Sequence, residues 1–465
     1  MALQRFSLPE VLAVAKIHPF YCSDVKYPPD ADEVQAACEQ AVKGATEVDL
    51  RTQPLLHKGT IYQRVERLTH DMSTKNVYRK SSYVTVTGGG SGGAPMIFAL
   101  EGHENRRQRM QMGDLIRICS IASPTDWVLS LHMSGGLYRS LDLITEIIEN
   151  SRATVLSVGN NMPLDEVVDV LGHSHANVIT GDSSQIVQLV RYISTLPSQA
   201  QQRLRLDKII YTSEPLTGTQ RAFIYTTLGD VKICSFMGSA EVGPWAVSHP
   251  DLGGEGGLAD SSTRDFVFDT RSMIIEILPL TASEATDSPS GPDPLPLGER
   301  GIIVQTSLQR LRNPLVRYIT GDIGSLHQLT PSARALIPET DRQYLRVLRM
   351  HGRDRRFGFK WYGTYFEFEN LKALMLAEEC GILQWQVILD QLKSSPQPTL
   401  EVRLLRASPQ ADILSDEALI RRLWTFFLVL PENKDLFRVE FVKDLSGFER
   451  SATGSKVIQF LDKLH

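Results

Sequence analysis

The chain has 465 residues, 42% of them apolar and 22% charged, with a formal net charge of -5 and acids and bases mixed along its length. At roughly 150 residues per domain that length suggests two to three domains, and a chain this long buries a core without staples. The mixed charge excludes the clustered basic face that nucleic-acid binding needs, and the richest basic run, residues 349–360 (RMHGRDRRFGFK), is too short to change that.

Five cysteines, Cys22, Cys38, Cys119, Cys234 and Cys380, are far apart and form no CxxC pair. They read as small core residues in a reducing compartment rather than as a zinc site. Residues 1–16 (MALQRFSLPEVLAVAK) lack the basic segment and apolar run of a secretory signal. The longest apolar stretch, 423–430 (LWTFFLVL), is far short of the ~20 residues of a spanning helix. A cytoplasmic protein with no membrane and no nucleic-acid partner is expected.

In chain order, residues 1 to 80 read as mostly helical, with helical apolar spacing at 32–43. Residues 83–87 (YVTVT) form a short strand that runs into glycines. Strands at 127–131, 153–158, 177–180, 208–211 and 231–236 then alternate with helices at 141–150, 164–171, 184–193 and 218–227. That alternation predicts a parallel sheet covered by helices. After residue 264 the helices stop, and short strands at 266–269, 272–278, 301–305 and 315–319 predict a β-rich subdomain, with 280–298 as a Pro- and Ser-rich surface loop. From residue 352 a small α+β unit begins, with helices at 366–377 and 415–429 and strands at 383–389, 400–405 and 436–442. The expected fold is therefore α/β: a large N-terminal domain, 1–351, and a small C-terminal domain, 352–465.

Five segments carry candidate chemistry. Residues 87–95 (TGGGSGGAP) place Gly90, Ser91, Gly92 and Gly93 after a strand, where backbone amides and a hydroxyl can converge on phosphate oxygens; the Lys of a Walker loop is missing. Residues 236–244 (FMGSAEVGP) put Glu241, a hard oxygen ligand suited to Mg²⁺, at the carboxyl end of a strand. Residues 314–324 (PLVRYITGDIG) present Asp322, a carboxylate able to accept both ribose hydroxyls. Residues 352–363 (GRDRRFGFKWYG) place Arg353 at the domain boundary, and residues 450–460 (RSATGSKVIQF) present Lys456 on a Gly-containing loop. Taken singly, each has an ordinary structural explanation as a turn, linker or solvated charge.

Together, in this order, the segments resemble the adenylate-forming superfamily of acyl-CoA synthetases, adenylation domains and luciferases. HPFY at 18–21, LLHKG at 55–59, SEPL at 213–216, RYITGDI at 317–323 and KVIQFLD at 456–462 resemble its phenylacetate-CoA ligase branch, over nearly the whole chain. The resemblance implies ATP and Mg²⁺ as cofactors and coenzyme A as co-substrate. It implies that Gly90, Ser91, Gly92 and Gly93 cradle phosphates, and that Thr212, Ser213, Glu214 and Pro215 lie along the adenine. Met237, Gly238 and Ser239 would also line the ATP site, Glu241 would hold Mg²⁺, and Asp322 with Arg353 would bind the ribose. Arg355 would be the hinge and Lys456 would drive adenylation. His132, Gly135, Gly136, Phe236 and Trp245 would shape the acyl pocket. Departures are Ala94 before Pro95, Met237 and Ala240 in the GSAE turn, Arg355 at the hinge and Ser455 before Lys456.

The activity so implied is activation of a carboxylic acid as its acyl-AMP, followed by transfer to CoA. An amide-forming ligase using an amine acceptor, or a nucleotide-binding homologue without turnover, are the alternatives. Relatives of this branch are often homodimers, so self-association is also expected.

Overall fold

The computed structural model describes residues 5–44, 49–86, 97–213, 215–253, 263–283, 292–353, 358–362, 364–391, 397–407, 412–451 and 456–464. The chain opens with helices α1 (Leu8–Lys16), α2 (Ala31–Lys43) and α3 (Lys58–His70). The first two begin in capping boxes, Ser7 with Glu10 and Asp30 with Glu33, which satisfy two orphan amides reciprocally. Strands β1 (Ser82–Val86) and β2 (Ile97–Glu101) pair as a hairpin, and helix α4 (Gly102–Ile118) follows. The glycine-rich segment between the two strands lies outside the described residues.

Next come β3 (Trp127–Ser130), the short pair β4 (Ser134–Gly135) and β5 (Tyr138–Arg139), α5 (Ser140–Asn150), β6 (Thr154–Ser157) and α6 (Leu164–Ser174). They are followed by β7 (Val178–Asp182), α7 (Ser183–Thr195), α8 (Ser198–Gln201), β8 (Lys208–Thr212), α9 (Gly218–Leu228) and β9 (Lys232–Ser239). Each predicted strand and helix of this stretch is present. Successive strand residues face opposite sides, so one segment feeds two cores. Val178 and Ile210 pack with Ile116, Ile144 and Ile147 of α4 and α5. Their neighbours Ile179 and Ile209 pack with Ile186 and Val190 of α7 and Ile224 of α9.

The β-rich part does not form a sheet of its own. Strands β10 (Gly243–Ser248), β11 (Arg264–Asp269), β12 (Met273–Leu278), β13 (Gly301–Ser307), β14 (Tyr318–His327) and β15 (Leu345–Arg353) continue the parallel strands. The result is one eleven-stranded sheet in the order β12-β13-β14-β15-β11-β10-β9-β8-β7-β3-β6. It is parallel from β6 to β9 and antiparallel beyond. Helices do recur past residue 264: Pro331–Leu336, capped by Thr330, and Glu339–Arg342.

The remaining chain builds a second sheet. A hairpin of β16 (Gly358–Trp361) and β17 (Thr364–Glu367) precedes a four-stranded sheet, ordered β20-β19-β18-β21. Its strands are β18 (Ile382–Gln391), β19 (Pro398–Arg406), β20 (Phe437–Phe441) and β21 (Phe460–Asp462). The helices Phe368–Leu376 and Asp416–Phe426 accompany it, and Trp361, Leu371, Trp385, Val402, Leu419 and Phe427 make its own core. This unit docks on the large sheet through Leu383, Leu405, Leu445, Phe448 and Val457, which join the apolar cluster of α7 and α9. Gln384 Nε2 also donates to Ser184 Oγ at the start of α7 (3.0 Å). Among the described residues no helix is long and apolar enough to cross a membrane.

Candidate active site

In a parallel sheet the carboxyl ends of the strands share one edge, where α/β folds bind ligands. Here β3 runs on into His132, β7 ends at Asp182, β8 at Thr212 and β9 at Ser239, with Asp182 and Thr212 direct register partners. The His132 ring is buried and shares a hydrogen bond with Thr180 Oγ1 (3.1 Å). Burial pulls its pKa down to about 3, with Lys456 adding to the effect, so the imidazole is neutral at pH 7. Asp182 caps α7 by accepting from the Gln185 amide (2.9 Å). Burial pushes its carboxyl up to about 6, against the opposing pull of that amide, Lys456 and Arg450.

Lys456 reaches this edge from the far end of the chain. Its backbone is tied to Ser451, whose amide donates to the Lys456 carbonyl (2.8 Å), and Arg450 bridges Val457 beside it. The ammonium then stands 6.0 Å from the centre of the Tyr138 ring, on the β4–β5 hairpin. Lys456 and His132, named separately by the sequence as a catalytic lysine and an acyl-pocket residue, thus lie near one another, together with Asp182 and Tyr138, which the sequence did not single out. The DSSQ run at 182–185 carries a capping-box signal, which explains the helix start but not the nearness to Lys456.

Glu241 sits in the turn between β9 and β10, 4% exposed. A buried polar network holds that turn. Arg310 Nη1 donates to the Glu241 carbonyl and Gln108 Nε2 to the Val242 carbonyl, both at 2.7 Å, while Arg310 Nη2 donates to Gln108 Oε1 (2.7 Å). Gly243 has φ 80°, and a Cβ there would run into the Gln108 and Arg310 side chains. The carboxylate faces α3: Tyr62 Oη donates to Glu241 Oε1 at 2.8 Å, and Lys58 Nζ lies 3.5 Å from the same oxygen. Burial pushes the Glu241 carboxyl up, but Lys58, the backbone, Tyr62 and Ser239 together hold it below its usual value. It is therefore a carboxylate at neutral pH, with a cation already beside it. Among the described residues no group of three or more His, Cys, Asp and Glu gathers as a metal site. A single carboxylate fits Mg²⁺, which takes one or two protein carboxylates and fills its shell with phosphate oxygens and water.

Asp322 and Arg353 are register partners across β14 and β15. Gly321, at φ 79°, precedes Asp322 and bends the strand where its pairing with β13 is irregular. The Asp322 amide donates to Thr320 Oγ1 (3.0 Å). Arg317 of the same motif is structural: it is fully buried and paired with Glu276 (3.0 Å). The segment leading into α3 connects the two regions, since Leu56 bridges Tyr318 of β14 two residues before Lys58.

Other candidates are more scattered. Thr212 is half-buried and Ser213 adopts φ 77°, a left-handed conformation costly for a residue with a Cβ and concentrated at functional sites. Pro215, Gly238 and Ser239 are exposed, and Met237 is half-buried. Gly135 and Gly136 form the exposed bend of the β4–β5 hairpin. Phe236 packs with the α4–α5 cluster, and Trp245 packs edge-on to Phe268 (5.7 Å) in a separate one. Gly90, Ser91, Gly92, Gly93, Glu214 and Arg355 lie outside the described residues, as does the side chain of Arg353.

No model of a protein family and no curated protein matches the chain. Solved structures do. The chain is similar to 2-hydroxyisobutyryl-CoA ligase in the postadenylation state with 2-HIB-AMP, at 16% identity and a TM-score of 0.62, covering 98% of this chain and 89% of that one. It is similar to the same enzyme in an open conformation with 2-HIB-AMP and CoA, at 16% identity and a TM-score of 0.54, covering 98% and 90%. The likeness does not single out the phenylacetate-CoA ligase branch, but it establishes that this chain has the fold of an adenylate-forming CoA ligase.

Proposed function

We propose that the protein uses ATP to activate a carboxylic acid as its acyl-adenylate and then transfers the acyl group to coenzyme A. The observation that carries this reading is the arrival of Lys456, from the second sheet unit, at the carboxyl edge of the parallel strands beside His132, Asp182 and Tyr138. The two enzyme states of the fold relative, one with acyl-AMP and one with acyl-AMP and CoA, support it.

In the first step a carboxylate oxygen of the acid attacks the α-phosphorus of ATP. The bond from that phosphorus to the bridging oxygen breaks, and pyrophosphate leaves with the electron pair. Two anions must approach, so catalysis rests on preorganised positive charge. Lys456 supplies it between the carboxylate and the α-phosphate. Glu241, held by the Arg310 and Gln108 network, would hold Mg²⁺, which would supply charge neutralisation at the phosphates. Asp322 accepts the ribose hydroxyls, with Arg353 opposite. His132, neutral and uncharged toward the acid, shapes the acyl end.

In the second step the CoA sulfur attacks the acyl carbonyl, its proton is released, and AMP leaves. The unit that follows β15 rotates against the large sheet, with Arg355 as the proposed hinge, withdrawing Lys456 and opening a path for the thiol. The test is mass analysis after incubation with ATP, a panel of acids and either CoA or amines. A thioester supports the reading; an amide, or no acyl product with any acid, overturns it.

A further inference from the structure

The triphosphate of ATP carries more negative charge than one Mg²⁺ neutralises, and the glycine-rich segment meant to cradle it, residues 87–95, contains no basic residue. Lys456 serves the α-phosphate end. Beyond Mg²⁺, the leaving β- and γ-phosphates therefore have no side-chain cation from the parts already assigned, and the fold places one beside Glu241.

Lys58 opens α3, and its ammonium is 3.5 Å from Glu241 Oε1. That is longer than the ~2.7–2.9 Å of a tight charge-assisted bond. Its side chain is 51% exposed, while that of Glu241 is 5% exposed. The pair is thus a buried carboxylate with a loosely held, solvent-facing cation. Tyr62, one turn along α3, donates to the same carboxylate oxygen and offers its ring 5.0 Å beneath the ammonium. The ring face gives Lys58 a resting surface that does not depend on Glu241.

We propose that Lys58 is a movable phosphate-binding cation that pairs with Glu241 in the nucleotide-free protein and turns to the β- and γ-phosphates of bound ATP. This rests on the acyl-adenylate reading above. When Glu241 engages Mg²⁺, like charge repels Lys58 from that carboxylate, while phosphate oxygens arriving beside it attract it. Tyr62 keeps the stem in place as the head changes partner. The exchange leaves no buried charge unpaired in either state, which is why Glu241 tolerates burial before nucleotide arrives.

The test is isothermal titration of the full chain with ATP and with AMP, both with Mg²⁺, for wild type, Lys58→Gln and Lys58→Arg. A hydrogen bond between charged groups corresponds to about ten- to hundredfold in affinity. Lys58→Gln is expected to lose that much for ATP and less than about twofold for AMP, which lacks the contacted phosphates, and Lys58→Arg to retain most of the ATP affinity. Equal losses for ATP and AMP would show a merely structural role, and an unchanged ATP affinity would remove the contact; either overturns the proposal while leaving the acyl-adenylate reading intact. A wild-type protein that binds neither nucleotide overturns both.

Discussion

The Lys456 ammonium and the Tyr138 ring stand 6.0 Å apart, one on the tail-end loop and the other on the hairpin after β3. Their approach depends on how the second sheet unit docks, and Gln384 Nε2 to Ser184 Oγ is a polar contact in that docking. Gln384→Ala removes a hydrogen bond of about 1 kcal/mol. Acid-dependent pyrophosphate release should fall by about fivefold, while thioester formation from supplied acyl-AMP and CoA should be little changed. Equal loss in both half-reactions would contradict a role for this docked arrangement in the first step alone.

Asp322 should act on every nucleotide alike. Its main chain belongs to the β14 ladder opposite Arg353, and the readout for Asp322→Asn is nucleotide affinity. ATP and AMP affinities should both fall, by about tenfold or more, because the ribose is common to both. Calorimetric titration checks this, and a loss confined to ATP would place Asp322 at the phosphates instead.

Gly243 is required by its surroundings. Gly243→Ala must adopt φ 80° and displace Gln108 or Arg310. A destabilisation of about 2–4 kcal/mol is expected, combining backbone strain with a broken buried network. Denaturant unfolding measures it, and a change under about 0.5 kcal/mol would show that the turn yields freely.

Asp182 makes stability depend on pH. Its folded pKa, about 6, lies above the reference value of 3.8 because of burial. The folded state therefore binds more protons than the unfolded one between these values, and stability falls as pH rises through the window. Asp182→Asn keeps a side chain that caps α7 well and removes the titration. It should be more stable than wild type by about 1–3 kcal/mol at pH 8, with the difference disappearing near pH 4. Urea unfolding at the two pH values checks this; a difference that grows toward acid would reverse the sign and refute it.

The parallel half of the fold was legible because β-branched runs such as 178–180 and 208–211 alternate with amphipathic helices. Helix α4 was not, for a physical reason: its first three turns bury Glu104, Asn105, Gln108, Arg109 and Gln111, and the apolar spacing on its inward face begins only at Met112, Leu115 and Ile116. One of those buried groups, Gln108, holds the Glu241 turn together with Arg310. Strand β14 starts at Tyr318 rather than at 315 because Arg317 takes φ 50° to pair with Glu276. The sequence names Asp322, Arg353, Glu241 and Lys456 as candidates because they fall in an ordered set of motifs. Tyr62, Tyr138 and Asp182 were not singled out, and Lys58 only as part of LLHKG, because their placement beside Glu241 and Lys456 comes from contacts between distant elements.

The central claim is that Lys456 brings the positive charge for the first chemical step. Acid-dependent pyrophosphate release by Lys456→Ala, measured beside its ATP affinity, tests it most directly. Release should fall by about a hundredfold or more while ATP still binds within a few-fold of wild type. Release at the wild-type rate would contradict the account.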